Sequence, residues 1–136
     1  MAQARPLRLP IKVRYAETDQ MGVVHHSAYV LYLEAARVEL LERAGLPYHA
    51  LEAEGLSFPV VELSLTYRKP ARFGDVLEVE VWLAELSPRR LTFAYQVLRE
   101  GQVLAEGRTR HVLLSGGKAM RMSPELMERL GVLLSG

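Results

Sequence analysis

An isolated aspartate, Asp19, precedes the longest predicted helix of this 136-residue sequence by a few residues. Only one other aspartate occurs among the sixteen acidic residues, and that residue, Asp75, follows a glycine and is explained by a turn. A carboxylate near a helix start can act as a base or a nucleophile. Free amides of the first helical turn can hold an oxyanion beside it. Asp19 therefore has two interpretations, as the carboxylate of an acyl-transfer site or as the cap of the adjacent glycine turn.

Two adjacent histidines, His25 and His26, lie between Asp19 and the helix. Neighbouring side chains point in different directions, so they make a poor pair of metal ligands, and the sequence has no cysteine to complete a zinc site. His26 could be a general acid or a hydrogen-bonding partner near neutral pH, or simply a capping or interface residue. His49 and His111 are predicted to be ordinary surface and strand residues. We expect neither a metal nor a cofactor.

Two arginines, Arg89 and Arg90, follow a Ser-Pro pair at the start of a predicted strand. Paired arginines in a turn can hold phosphate groups, although they more often form a solvated hairpin corner. Tyr29, near the helix start, is most simply a core or interface residue. The sequence has neither a glycine-rich phosphate loop nor a G-x-S-x-G nucleophile elbow.

The composition is that of an ordinary globular domain, and we expect a single domain over residues 1–136. The formal net charge of +1 gives no indication of a nucleic-acid surface. The absence of cysteine excludes disulfides and thiolate catalysis. The first residues lack the apolar run of a signal peptide, and no segment is long enough to insert in a membrane. A cytoplasmic protein is therefore expected.

The chain around the candidate carboxylate is predicted to form a strand, a turn and a helix. Residues 7–16 alternate between apolar and polar side chains, which predicts a strand, and residues 20–22 break the pattern as a turn. Ser27 is a good N-cap for a helix over 28–44, and Gly45 stands where a left-handed residue would end that helix. The helix has apolar residues on most sides, so we expect it to lie within a curved sheet and against a partner.

Further strands and helical segments are predicted downstream. The strands alternate over 61–67, 77–83, 91–97 and 103–114. Residues 48–54 form a short helical turn, and Ser123 caps a C-terminal helix with Pro124 at its first position. Short connections make the strands antiparallel neighbours. The sequence thus predicts an α+β domain with one helix on a five-stranded sheet, and because one helix cannot cover both faces of that sheet, we expect a homo-oligomer.

The segment from Tyr15 to Tyr29, which runs into the helical residues 34–37, resembles the hotdog-fold acyl-CoA thioesterases. It is most similar to the 4-hydroxybenzoyl-CoA thioesterase family and its bacterial Tol–Pal-associated relatives. The shared pattern is D-x-x-G-x-V-x-x-x-x-Y followed by this helix, and the resemblance covers nearly the whole chain. It implies the hotdog fold, in which a five-stranded antiparallel sheet wraps one long central helix, and a dimer or tetramer with active sites at the subunit boundary.

The resemblance also implies a reaction and a set of site residues. In that family the aspartate matching Asp19 attacks the thioester carbonyl or activates water, and the backbone amide at the position of His26 polarises the carbonyl oxygen. The expected reaction is hydrolysis of a small aromatic or short-chain acyl-CoA. His25 replaces an aromatic residue common in the family, which would reshape the acyl pocket. The expected substrate-binding residues are His25, Tyr29, Phe58, Arg89, Arg90 and Thr92, the last three through the phosphates of coenzyme A.

Two other functions remain open from the sequence. A hydratase or dehydratase of the same fold would use a histidine with a carboxylate on a motif that this chain does not show. A non-catalytic acyl-CoA binding protein would keep the pocket without the chemistry. Thiol release from a panel of acyl-CoA substrates separates these functions from a thioesterase.

Overall fold

The computed structural model describes residues 6–134 and contains one long helix packed against a five-stranded sheet. The helices are a 3-10 turn (Tyr15–Glu17), α1 (His26–Arg43), α2 (Tyr48–Ala53) and α3 (Pro124–Gly131). The strands are β1 (Leu7–Lys12), β2 (Leu56–Ser57), β3 (Val60–Tyr67), β4 (Val76–Leu86), β5 (Arg90–Arg99), β6 (Gln102–Val112), β7 (Leu114–Ser115) and β8 (Lys118–Ala119). The main sheet has the antiparallel order β1-β4-β5-β6-β3, and β2, β7 and β8 form a small second sheet. The predicted α+β class with one long helix and a five-stranded antiparallel sheet is confirmed.

The position of β3 differs from the prediction that consecutive strands are neighbours. β3 pairs with β6 at one edge of the sheet, while β4 lies between β1 and β5. The connection over 68–75 is too long for a hairpin turn, and the amides of Arg68 and Lys69 both donate to the carbonyl of Leu104 on β6. The same connection then reaches the segment before α1, where the Val24 amide donates to the Ala71 carbonyl at 2.9 Å. The long connection thus supports the region of Asp19.

The start of α1 is also different from the prediction. His25, not Ser27, is the N-cap residue, and its side chain makes no capping hydrogen bond. The His25 amide donates to the Glu17 carbonyl at 2.9 Å, and the His25 carbonyl accepts from the Ala28 amide at 3.1 Å, so the helix begins two residues early. At the other end, the left-handed conformation predicted for Gly45 is confirmed by its φ of 78°.

The first strand is shorter than predicted. It ends at Lys12, because the Val13 amide turns to donate to the Asp75 carbonyl at 2.9 Å and the 3-10 turn follows. The C-terminal helix begins as predicted, with the Ser123 hydroxyl accepting from the Leu126 amide at 3.1 Å and Pro124 at the first position. No helix within residues 6–134 is long and apolar enough to cross a bilayer.

Two apolar surfaces of the sheet and helix are uncovered. Seven of the eight residues of β3 are exposed, among them Val61 at 59% and Leu63 at 41%. The helix α1 buries one face, which includes Leu33 and Ala36, but exposes Leu31 to 57%. The sequence predicts apolar residues on most sides of α1, and the exposed Leu31 agrees with that pattern. The partner expected against the helix stays a prediction.

Gly107 on β6 allows α1 to lie close to the sheet. A Cβ atom at this residue would stand 3.0 Å from Leu65 Cδ2, 3.1 Å from the Ser64 carbonyl oxygen and 3.2 Å from Leu33 Cδ1. We expect Gly107→Ala to lower the free energy of unfolding by about 1–3 kcal/mol, because the backbone oxygen cannot rotate away from the new methyl group. Urea denaturation measures this difference. Gly131→Ala in α3 is the matched control, since no atom of residues 6–134 lies within 4 Å of its added Cβ. Equal stability of both variants would contradict the expectation.

Candidate active site

Asp19 closes a tight turn, and one of its carboxylate oxygens accepts no hydrogen bond from the part of the chain that the structure describes. Its amide donates to the Val23 carbonyl at 2.9 Å, and its carbonyl accepts from the Gly22 amide at 3.0 Å. Its Oδ1 accepts from the amides of Met21 at 2.8 Å and Val23 at 3.2 Å, while Oδ2 has no hydrogen-bond partner within residues 6–134. Gly22 has a φ of 78°, which favours glycine at this position. Asp19 does cap the turn, and the same hydrogen bonds fix the direction of Oδ2.

A second carboxylate, Glu17, ties this turn to α1. Its Oε1 accepts from the Tyr32 hydroxyl and from the Arg14 amide, both at 2.8 Å, and its carbonyl accepts from the His25 amide. Burial alone would raise the pKa of Glu17, but the hydrogen bonds from Arg14 and Tyr32 hold that pKa below its ordinary value. Burial and the Glu17 charge both raise the pKa of Tyr32. An ionised Glu17 and a neutral Tyr32 therefore hold the segment before the helix.

An ion pair supports the turn from the other side. Asp75 Oδ2 accepts from Arg99 Nη1 at 2.8 Å and from the Arg72 amide at 2.9 Å, and these hydrogen bonds outweigh burial to lower the pKa of Asp75. Arg72 forms an isolated β-bridge with Val23. The turn role predicted for Asp75 is thus correct, and the residue also holds the strand connection against the Asp19 turn.

Asp19 faces the start of α1 across an open hollow. A cavity of about 390 Å³ is lined by Asp19, Val23, Val24, His25, His26 and Ser27. The first amides of a helix have no intrahelical acceptor, so those of His26 and Ser27 are available to this hollow. A second cavity of about 440 Å³ is lined by Tyr15, Ala16, Thr18, Asp19, Gln20 and His25. The Asp19 carboxylate and the positively polarised start of α1 therefore line the same cavity. Asp19 and His25 line both cavities and stand between them.

Aromatic rings surround the start of α1. The His26 ring stacks on Tyr67 with a centroid distance of 4.3 Å and an interplanar angle of 17°. Tyr29 meets Tyr67 edge to face at 5.1 Å and Tyr32 at 5.8 Å. Tyr29, at 2% exposure, is a core residue, which is one of the roles that the sequence left open, and its expected contact with substrate stays a prediction. The contribution of Tyr67 is absent from the sequence prediction, since alternation marks it only as the last residue of a strand.

The other predicted site residues lie at the far end of the sheet. Tyr67 is in register with Ala105, and Val60 is in register with His111, which pairs with Leu91 on β5. Each set of paired residues forms a row across the sheet. The row of Tyr67 and the row of Val60 are seven residues apart along β3, which corresponds to about 23 Å. Arg90 and Thr92 flank Leu91 of the far row on β5, Arg89 precedes Arg90, and the Phe58 carbonyl contacts His111 of that row. Within one chain the structure therefore separates these residues from the hollow beside Asp19.

At that far end, the predicted residues differ in accessibility. Arg90 and Thr92 line a hollow of about 210 Å³ together with Glu85 and Arg110. Arg89 and Arg90 are exposed, whereas Thr92 and Phe58 are only 4% and 6% exposed. The arginines are thus open to a ligand, but the Phe58 side chain belongs to the core of its own chain.

His111 is a strand residue, as predicted, but it is completely buried and not ordinary. Its Nδ1 donates to the Phe58 carbonyl at 2.9 Å, so the neutral ring accepts at Nε2 from the Thr109 hydroxyl at 2.8 Å. The Tyr95 hydroxyl then donates to Thr109 at 2.6 Å. Burial lowers the pKa of His111 to about 4, the hydrogen bond to Phe58 opposes this shift, and the nearby Arg37 charge adds to it. This buried chain of hydrogen bonds holds the segment that enters β3.

Comparison with known proteins places the chain among thioesterases. Residues 13–130 match the family model of the thioesterase-like superfamily. A hypothetical protein from Thermus thermophilus has a crystal structure that is 63% identical, with a TM-score of 0.90, covering 93% of this chain and 98% of that chain. The acyl-CoA thioester hydrolase YbgC of Escherichia coli is 32% identical over 123 residues, which are 90% of each protein. The DHNA-CoA thioesterase of Staphylococcus aureus is 28% identical, with a TM-score of 0.87, covering 93% of this chain and 89% of that chain.

Proposed function

Because the chain belongs to the thioesterase-like superfamily of hotdog-fold enzymes, we propose that it is an acyl-CoA thioesterase that hydrolyses a small aromatic or short-chain acyl-CoA to the free acid and coenzyme A. The names of its relatives support acyl-CoA as the substrate class. One observation supports Asp19 as the reacting group. Its Oδ2 has no hydrogen-bond partner within residues 6–134, and Asp19 lines the same hollow as His26 and Ser27, the first residues of α1.

The proposed reaction uses this hollow in two steps. The thioester carbonyl lies with its oxygen toward the amides of His26 and Ser27, which stabilise the negative charge that develops there. Asp19 either attacks the carbonyl carbon itself or takes a proton from a water that attacks it. If Asp19 attacks, the C–S bond breaks, the thiolate leaves, and water then hydrolyses the resulting mixed anhydride to the free acid and the regenerated Asp19 carboxylate. If Asp19 acts as a base, the water oxygen bonds to the carbonyl carbon, the C–S bond breaks, and the proton held by Asp19 passes to the leaving thiolate. Thiolate is a good leaving group, so this reaction needs no metal ion or cofactor.

We further infer a homo-oligomer in which the site is shared. Arg89 and Arg90, the residues expected to bind phosphate, lie near the Val60 end of the sheet, whereas the hollow beside Asp19 lies near the Tyr67 end, so we infer that the two parts of one site come from different chains. Antiparallel pairing of β3 with β3 of a second copy would bring the Val60 end of one strand beside the Tyr67 end of the other. The exposed apolar edge of β3 supports this pairing. The exposed face of α1 offers a surface for joining two such dimers.

The substrate class is tested by thiol release from a panel of aromatic and aliphatic acyl-CoA thioesters. Turnover of any member with the expected stoichiometry of one thiol per acid supports the thioesterase. Hydration of an enoyl-CoA without thiol release would instead favour the hydratase. Tight binding across the panel without turnover would favour a binding protein.

The shared site predicts complementation between two variants that are each impaired in a different part of the site. Asp19→Asn removes the carboxylate, and the double variant Arg89→Ala with Arg90→Ala is expected to raise KM by about 10-fold or more through lost phosphate contacts. A heterodimer of the two, isolated with two affinity tags, contains one site with both parts intact. Below saturation its activity should therefore be about half that of wild type, well above either homodimer. Failure to form the heterodimer, or no recovery in it, would contradict a shared site.

A further inference from the structure

We propose that Tyr67 is a positioning residue for this reaction, because its ring holds the His26 ring and so the first turn of α1. The inference rests on the proposed function, in which the amides of that turn stabilise the oxyanion. Tyr67 comes from the edge strand β3 and not from the sequence segment that carries the Asp19 turn. The proposal concerns the geometry of the site and not a contact of Tyr67 with substrate.

The helix start needs such support, since it lacks a side-chain cap. His25 is the N-cap and makes no side-chain hydrogen bond to the first turn, and Ser27 stands beyond the capping position. An uncapped helix end frays more readily than a capped one. The stacked pair of His26 and Tyr67, at 4.3 Å and 17°, is a contact between the first helical residue and a hydrogen-bonded strand. The stack therefore takes over part of what a cap would do.

Tyr67 is itself held in place by a closed circuit of contacts. The Tyr67 ring packs in a T-shaped pair with the buried Tyr29 ring, and Tyr29 packs in the same way with Tyr32. The Tyr32 hydroxyl donates to Glu17. The Glu17 carbonyl accepts from the amide next to His26, so the circuit returns to the helix start. Each side chain in this series is joined to the next by an aromatic contact or a hydrogen bond, and the peptide bond between His25 and His26 closes the circuit. Loss of the Tyr67 ring would remove the contact that holds His26, in the helical turn whose amides are available to the hollow.

This arrangement also connects the site with the strand edge proposed for assembly. Tyr67 is the last residue of β3, and its side chain is 39% exposed in the single chain. A displacement of the first turn by about 1 Å would misalign the amides with the developing oxyanion and cost about 100-fold in rate. Such a change acts on the transition state more than on binding of coenzyme A, so kcat should fall while KM changes little.

The test compares Tyr67→Ala with Tyr67→Phe by kcat and KM for the best substrate of the panel. We expect Tyr67→Ala to lower kcat by about 10- to 100-fold with KM within about threefold, and Tyr67→Phe to restore most of kcat because the stack needs the ring and not the hydroxyl. In a His26→Ala background, Tyr67→Ala should cost little more, because the two rings act as one unit. Equal losses in the Phe and Ala variants, or fully additive losses in the double variant, would overturn the proposal.

A second measurement does not depend on activity. The ring protons of His26 should show an upfield ring-current shift in NMR spectra of wild type and Tyr67→Phe, and this shift should vanish in Tyr67→Ala. Leu63→Ala is the matched control, since it also truncates an exposed apolar residue of β3 and leaves the stack intact. An unchanged His26 spectrum in Tyr67→Ala would overturn the proposal. A wild-type protein without thiol release would instead overturn the proposed function, and the NMR shift would still decide whether Tyr67 holds His26.

Discussion

Asp19→Asn should lower kcat/KM for acyl-CoA hydrolysis by about 1,000-fold or more, with no loss of the fold. The amide side chain carries no negative charge at neutral pH, so it can neither attack the thioester carbonyl efficiently nor take a proton from water. The amides of the α1 start remain in place, and they should account for residual activity. This is the largest effect that we expect from any single substitution.

The stability of this variant follows from the hydrogen bonds of the carboxylate. Oδ1 accepts from the amides of Met21 and Val23, and an asparagine oxygen can accept both. The group that changes is Oδ2, which has no partner within the described part of the chain. We therefore expect the free energy of unfolding to stay within about 0.5 kcal/mol of wild type. Thiol-release kinetics and urea denaturation on the same preparations separate the two effects.

Asp19→Glu is a control that keeps the carboxylate charge but changes its position. It keeps a carboxylate but moves it by one methylene, so it should lose most activity if Asp19 must attack the carbonyl directly. Substantial retention of activity would favour a base that acts through water. Wild-type activity in Asp19→Asn would contradict any catalytic role of this residue.

Acidification should destabilise the protein through His111, by up to about 3 kcal/mol. The pKa of His111 is about 4 in the fold, against an ordinary value of 6.5 in the unfolded chain. Above pH 6.5 both states are neutral at this residue and it has no effect. Between pH 6.5 and about 4 the unfolded chain gains a proton that the native ring does not, so the stability falls through this window and levels off below it. Protonation of the native ring would put a second N–H against the Thr109 hydroxyl and reverse the hydrogen-bond chain.

The measurement is the free energy of unfolding at several pH values and one fixed protein concentration, since an oligomer makes stability depend on concentration. His111→Gln removes the titrating group, so its stability should fall less than that of wild type between pH 7 and 4. The comparison uses the slope with pH and not the absolute stability, which the substitution will lower in any case. Equal slopes would show that His111 is not the group responsible.

Local signals predicted the elements of this fold well. The left-handed Gly45 after α1 and the cap at Ser123 are determined by residues within a few positions, and both are confirmed. The prediction of Ser27 as N-cap is wrong, because the His25 amide donates to the Glu17 carbonyl and the helix begins directly after it. Capping preferences describe side chains and do not include this backbone contact. The neighbour of β3 was also missed, because strand pairing across the sheet depends on how the long connection over 68–75 packs, and not on alternation.

The candidate site divides in the same way. The Asp19 turn lies in one short segment whose residue pattern is that of the hotdog thioesterases, so the resemblance led to it directly. Tyr67 contacts His26 from forty-one positions along the chain, and no periodicity connects the two. The separation of Asp19 from Arg89 and Arg90 follows from strand direction and register, which the sequence did not provide. The sequence indicated which residues belong to the candidate site, but the distances between them could be obtained only from the structure.

The edge position of β3 has a consequence for the order in which the chain is synthesised. β3 leaves the ribosome well before β6, since Glu62 pairs with Arg110, forty-eight residues later. Until β6 has been synthesised, the apolar side chains of β3 and the N–H and C=O groups along both of its edges can pair with any extended chain nearby. Completion of β6 covers one of these rows, and in the proposed dimer β3 of a second finished chain covers the other. For the proposed dimer, the yield of correctly assembled protein then depends on a competition between pairing with a second finished chain and misassociation of unfinished chains.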